Sequence, residues 1–518
     1  MATTMRPERA SLTPIARALA IWLGIQCAPV WADAWQVEAS AQANAVASNN
    51  VAMADAQAKQ SDVVLTVTPQ LRLVGMGAAY RIEGDLGFDL VSYLGRTRGD
   101  HLYPRARLGM NAQVVERWLY LDTAVDADTT AANAFGVLSE GSNDLNRSVI
   151  TRERLSPFLR RELSPTSLLL IRSDNSWTQT ANSGGTGGTS QAYVQSDVLR
   201  YEALPQPLGL QFQLARLKSR SDDATAADGV FHATFDTARL SLLYAPVPEF
   251  YVGVTGGHDS GAYGNTDVSG TLAGGLFRWQ PSVRTDLYAS AEKRFFGTGW
   301  NGRFTQRSPF VVVSSSLSRD ASTYAAELAS LSPDSSVASL LDASLSTRIT
   351  DPVERQAAVD AALRQRALPQ VQNGAVSIGS TRAQLVQTAD LSLAFLGVRH
   401  TVLLRGFQQT TNDLRGPSDP VPSATTSSNA RQRGASLTLT RRLDPHTSAD
   451  FGLNYSRVIG FGPTEGNRTV NKTVRLGLSH ELSARTSVVG GVRHRQLDSN
   501  VVTTAQETAV YVGALHRF

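Results

Sequence analysis

The chain has 518 residues, 42% of them hydrophobic, and its 49 basic and 45 acidic side chains leave a formal charge of +4. Outside the N-terminus no run approaches the roughly 18 apolar residues of a membrane-spanning helix, which excludes a helical membrane protein. Charge this evenly balanced offers no basic face, so no nucleic-acid partner is expected.

Residues 1–32 read as a secretory signal. Arg6, Arg9 and Arg17 form its basic end, and Ala18 to Val30 its apolar stretch, with cleavage after Ala32 or Ala34. Cutting after Ala32 leaves 46 basic and 44 acidic residues and removes Cys27, the only cysteine. Gln26 is not the small residue that a lipoprotein site places before its cysteine. A cysteine-free mature chain suits export through an oxidising compartment.

From residue 33 onward the dominant signal is period two. Trp35, Val37, Ala39, Ala41, Ala43 and Ala45 alternate with polar residues and predict a first strand. Val63 to Leu73 predicts a second, with a bulge or break at Pro69, which has no N–H to donate. In the third, Tyr80, Ile82, Leu86, Phe88 and Leu90 point one way and Arg81, Glu83, Asp85 and Asp89 the other.

A soluble sheet would cover its apolar face with a second layer, and the sequence supplies none. The economical reading has lipid on the apolar faces and water against the charged ones. Short turns near Pro165, Pro205, Pro246, Pro281 and Pro445 alternate with longer polar loops around Gly185, Asp223 and Pro420. That alternation is expected when one rim faces the periplasm and the other the exterior. The count reaches about 22 strands, with 305–320 divisible in more than one way. The fold class is therefore all-β: a transmembrane antiparallel β-barrel of about 22 strands, spanning residues 33–518.

Residues 279–297 form the clearest hairpin, turning at Pro281-Ser282-Val283. Leu287, Ala289 and Ala291 face lipid, while Asp286, Tyr288, Ser290, Glu292 and Arg294 face inward. The pattern W-x-P-S-x-R-T followed by R-F-F-G comprises Trp279, Pro281, Ser282, Arg284, Thr285, Arg294, Phe295, Phe296 and Gly297. It resembles the PEP-CTERM system-associated outer-membrane protein family, barrels linked to exopolysaccharide and exosortase systems. The resemblance implies a Gram-negative outer-membrane location and an exopolysaccharide context. It implies no defined biochemical activity.

Residues 321–372 lose period two, and two or three short helices are expected there. Asp351 is placed to cap one of them, with Pro352 and Glu354 in its first turn. The Ser-rich composition puts this insertion at the extracellular rim as a solvated loop; folding into the pore as a plug is the alternative.

The C-terminal third is regular. Phe451 and its apolar neighbours face lipid and Asp450 faces inward; Arg475, Arg493 and Arg495 join the inner face. The last strand ends in Phe518, which resembles the signal read by the outer-membrane barrel assembly machinery.

The inward set is thus Arg81, Glu83, Asp85, Asp89, Asp286, Glu292, Arg294, Asp450, Arg475, Arg493 and Arg495. Opposite charges in adjacent rows brace a wide wall, and they also line a hydrated path for a polar chain. Trp177, Tyr244, Trp279, Phe295, Phe296 and Trp300 read as interface anchors. Phosphate-loop, G-x-S-x-G and H-E-x-x-H patterns are missing. His480 and His494 are the nearest approach to a metal pair, and Ser290 with His258 the nearest to a catalytic one. Neither is enough, so no enzyme, metal or cofactor is expected. The function expected is an outer-membrane conduit for polysaccharide or other polar solutes. The alternative is a structural barrel that anchors surface polymer or protein.

Overall fold

Each strand runs antiparallel to the one before it, and the last returns to the first. This computed structural model describes residues 34–131, 133–137, 146–182, 189–222, 229–330, 337–346, 382–416 and 427–518, with scattered positions from 348 to 376. The expected signal segment and the loop positions Gly185, Asp223 and Pro420 lie outside them.

The sheet has 22 strands. Strand β1 (Ala34–Ser48) pairs with β2 (Asp62–Met76) on one side and with β22 (Ala505–Arg517) on the other. The seam runs from Ser40 opposite Arg517 to Ser48 opposite Ala509. In hydrocarbon a backbone N–H or C=O has no water to turn to, so a spanning sheet must leave no edge. The seam meets that condition.

Connections after even-numbered strands are two to four residues long. Those after odd-numbered strands reach 59 residues, with tight exceptions at 264–265 and 295–296. Pro165, Pro205 and Pro445 lie in the short turns, and Pro246 and Pro281 in the strand ends that feed them. All five share one rim, as the alternation of loop lengths predicts.

Face assignment follows from register, because directly paired residues share a face. On β19 (Thr447–Gly460), Asp450, Gly452 and Asn454 share a face with Arg475 and Gly477 of β20 (Arg468–Glu481). That face continues to Arg493 and Arg495 of β21 (Thr486–Ser499), and to Glu507 and Tyr511 of β22. The opposite face shows Leu453, Leu476, Val492 and Val512 at 40 to 60% exposure. That is the apolar face a bilayer covers. On the inner face Tyr511 lies across Gly491 and Gly477, where a Cβ would collide with its ring or hydroxyl.

Pro69 behaves as half-expected. It pairs with Ala41 without interruption, while pairing between β2 and β3 (Tyr80–Tyr93) lapses at Thr68 and Pro69. The register on both sides of the lapse is unchanged, so this is a local break and not a bulge. The ambiguous 305–320 stretch resolves as β14 (Gly297–Arg307), a turn at 308–310, and β15 (Val311–Thr323).

The insertion between β15 and β16 (Ala383–Leu396) departs from the rim placement. Helix α1 (Tyr324–Ser330) leaves β15 and touches β7 (Ser167–Asn182), β8 (Thr189–Ala203) and β9 (Leu208–Asp222). Those strands lie six to eight positions away around the wall, so α1 reaches them only across the lumen. Helix α2 (Val337–Leu345) goes deeper. Its Val337 and Leu341, one turn apart, pack with Val359 on Ala394 and Leu396 of β16 and Leu403 of β17 (His400–Asp413). These are inner-face positions next to the short turn 397–399. Thus α2 sits inside the barrel near the short-turn rim. Leu341 and Leu403 are fully buried, and that apolar contact outweighs the hydration of a Ser-rich segment at the rim. The expected cap is present: Asp351 Oδ1 accepts the Glu354 N–H at 3.0 Å.

Leu453→Arg is expected to cost roughly 2–4 kcal/mol if it lies near the bilayer midplane, and Asn454→Arg much less. Denaturant titration of the barrel refolded into liposomes measures both. The reverse ranking would mean that the register is off by one.

Candidate functional site

The inner wall is where charge collects, and there it is paired. Arg81 is bonded to Glu83. Asp89 accepts the Thr68 hydroxyl at 2.7 Å and faces Arg105 at 3.6 Å. Asp286 lies 3.0 Å from Arg278 and 3.5 Å from Arg303. Glu292 meets Arg239 at 3.0 Å, and Arg475 meets Asp450 at 3.4 Å. Glu507 receives Arg493 and Arg495 at 3.3 and 3.5 Å, with the Ser48 hydroxyl donating at 2.6 Å. Asp85 shares the inner face of β3 with Arg81, Glu83 and Asp89.

Several members of this network escape the sequence reading: Arg239, Asp259, Arg278 and Glu507, and the Asp122–Arg172 and Asp126–Arg152 pairs. Each occupies an inward position of its own strand, so period two carried the signal. Their pairing depends on register between strands, which no local pattern displays.

The densest part surrounds β13 (Thr285–Arg294), the strand that carries the quoted motif. At its start the Ser282 hydroxyl accepts the Arg284 N–H at 3.3 Å, and Arg307 donates to the Val283 carbonyl at 2.7 Å. At its end Gly297 adopts φ +101°, a left-handed conformation that favours glycine. Phe295 and Phe296 fill the tight turn before it. Phe295 packs beside Phe235 at 6.1 Å, within an inner cluster that includes Phe231 and Tyr263. This corrects one expectation: Phe295 is not an interface anchor. Trp177, Tyr244, Trp279 and Trp300 do show 39 to 50% of their surface on the outer face. Arg294 is almost sealed, 2.5 Å from a fully buried Asp259, and its guanidinium also stacks over Phe296 at 5.0 Å.

Beside this strand the lumen has a recess of about 370 Å³ lined by Tyr251, Tyr288, Arg200, Arg239, Arg278 and Asn301. Phenol faces and guanidinium forks are surfaces that hydroxyl-rich or anionic solutes stack on and hydrogen-bond to.

Above the recess, inward-folded segments reach across the mouth. Arg152 and Arg154 of β6 (Arg147–Ser164) donate to the carbonyls of Leu328 and Ala329 at 3.1 and 2.8 Å. These satisfy orphan acceptors at the C-terminal end of α1, where positive charge is favoured. The Thr323 hydroxyl donates to Ser219 of β9 at 2.9 Å. The Glu327 carboxyl is pushed above its ordinary range by burial, which the hydroxyl of Ser322 only partly offsets. From the connection after β5 (Leu119–Ala131), the Phe135 carbonyl accepts the Thr469 hydroxyl of β20 at 2.8 Å. Val376 of the insertion exchanges two hydrogen bonds with the Gln432 side chain.

The imagined catalytic pair does not assemble, because Ser290 faces inward and His258 outward. His480 and His494 are also apart, bonded to Thr447 and Thr508 respectively. Among the described residues no three metal-capable side chains converge.

No family model matches the chain, and no curated protein matches it. Solved structures do. The siderophore receptor PiuA of Acinetobacter baumannii aligns over 93% of this chain and 82% of its own, at 8% identity and TM-score 0.47. A ferric enterobactin receptor of Pseudomonas aeruginosa aligns over 93% and 81%, at 9% and 0.46. The alcaligin receptor FauA of Bordetella pertussis aligns over 93% and 76%, at 11% and 0.41. The ligands of those receptors stay with them.

Arg294→Met is expected to destabilise the barrel by about 3–5 kcal/mol, because it leaves Asp259 buried without its cation. Adding Asp259→Leu should restore most of the loss. Urea midpoints of the refolded single and double variants test this. A double variant as unstable as the single would show that the pair is not the cause.

Proposed function

We propose that this protein is a gated outer-membrane conduit for polar solutes, with its own insertion as the gate. The observation that supports it most is the position of the two described helices between β15 and β16: α1 leaves the wall near the long-loop rim and crosses the lumen, and α2 rests on the inner wall. Helix α1 accepts hydrogen bonds from Arg152 and Arg154, Thr323 just before it is tied to Ser219 of β9, and α2 rests on an apolar cluster. A segment that docks on the wall without joining the strand ladder can leave while the ladder stays intact. The tyrosines and ion-paired arginines that line the recess suit a hydroxyl-rich cargo. With the resemblance of the β13 hairpin, that makes exopolysaccharide the cargo proposed.

Insertion by the barrel assembly machinery is part of the proposal. The final Phe518 is 70% exposed beside the short-turn rim, where its N–H donates to Ala39. A lumen crossed by the chain's own helix also favours a second reading, a non-conducting barrel whose loops hold surface polymer or protein.

Conductance separates the two. Thr323 and Ala383 are directly paired, so an Asn-Gly linker can replace 324–382 without moving either strand. In planar bilayers the full chain is expected to show low, intermittent conductance and the shortened chain a steady, several-fold larger one. A full chain that never opens would favour the anchoring barrel. Equal steady conductance from both would exclude the insertion as a gate.

A further inference from the structure

Among the described residues most arginines inside the wall have a carboxylate; on one patch of the outside none does. Strand β18 (Ala430–Arg442) pairs with β19, and β19 with β20. Their outer faces bring together Arg431, Arg433, Arg457 and Lys472. Arg433 is directly opposite Arg457, and Lys472 is opposite Tyr455, one pleat from Arg457. Like charges in facing positions of a sheet repel. Among the described residues none of the four has an ion pair or a side-chain hydrogen bond, and the Arg457 Nε is sealed from solvent with no partner.

Their outward neighbours do not compensate. Gln408 and Thr410 face them from β17, and Gln496 from β21. The carboxylates nearest along these strands are engaged elsewhere, Asp413 by the hydroxyls of Ser427 and Ser428 and Asp498 by Arg468. The patch is local. On the far side of the barrel the outward Arg216 is matched by Asp236 at 2.5 Å.

Height decides the ligand. The four cations stand on the long-loop side of a band of exposed Leu439, Leu453, Val474 and Leu476, with Tyr455 at the junction. Tyrosine marks the level where hydrocarbon gives way to headgroups. We infer that Arg431, Arg433, Arg457 and Lys472 form a binding site for the phosphate groups of an outer-leaflet lipid, whose acyl chains lie on the leucine band below. Three guanidinium forks supply paired donors to phosphate oxygens, and the lysine adds a point charge. A free phosphate would use the same donors without the apolar band. The inference rests on the barrel lying in a membrane and is independent of transport.

The test uses the full chain in neutral detergent micelles, doped in turn with a bisphosphorylated lipid A, with the same lipid dephosphorylated, or with inorganic phosphate. Bound lipid is counted by native mass spectrometry. The wild type is expected to retain the phosphorylated lipid and to lose it as salt rises. The R431Q/R433Q/R457Q/K472Q variant should bind it at least about tenfold more weakly, since each cation near a charged membrane surface contributes appreciably. Arginine-to-lysine replacement at 431, 433 and 457 should keep most of the affinity, which excludes a packing defect. Heat-modified gel migration confirms that both variants are folded. Equal retention by wild type and the glutamine variant would overturn the inference, and so would equal binding of the dephosphorylated lipid. Inorganic phosphate that competes at its own low concentration would reassign the patch as a free-anion site.

Discussion

An apolar bilayer offers no partner to a backbone amide, and the rest of this structure follows from that. The sheet must close, so β1 meets β22. Closure over 22 strands leaves a lumen too wide for wall side chains alone to fill, since small barrels of about 8 strands are the ones so filled. That space is then divided between water, charge and the chain's own connections. The paired charges are a second consequence. Most arginines of the inner wall have a carboxylate within one to three strands, as Arg294 has Asp259 and Arg239 has Glu292. A lone buried charge is costly, while a matched one fixes the register of its strands.

The two faces of the wall obey different rules, and this gives the functional reading its shape. Inside, charge is neutralised locally and the central recess carries tyrosine and arginine side by side. Outside, among the described residues, the cations that stand above the apolar band at β18 to β20 go unmatched. The connecting segments follow the same logic. Most of those after odd strands are longer, and some turn inward and find apolar partners on the inner wall, as Val51 does with Val64 and Tyr93.

Much of this was legible in the sequence because period two is a strong signal when both faces are demanding. Strand β3 shows it best, with Phe88 and Leu90 outward and Asp89 inward. The even strand count and the single rim of short turns came from the same pattern. The place of the insertion did not. Its helices look too poor in large apolar groups to pack, and composition alone put them at the rim. The signal lay on the wall instead. Residues 393–396 and 402–404 are apolar on both faces, so something apolar had to cover the inner side. Val337 and Leu341, four residues apart, supply that cover. Phe295 was misplaced for a related reason: a turn residue has no fixed face, and period two says nothing about which way it folds.

The central claim is that α2 rests on the inner wall of the membrane-inserted barrel. Disulfide trapping tests it directly, with a cysteine at Leu341 combined in turn with one at Ala394, Leu396 or Leu403. Rapid oxidative trapping with at least one of these partners is expected, together with protection of the Leu341 position from a bulky impermeant maleimide added outside. Failure to trap with any partner, with full labelling from outside, would contradict the account.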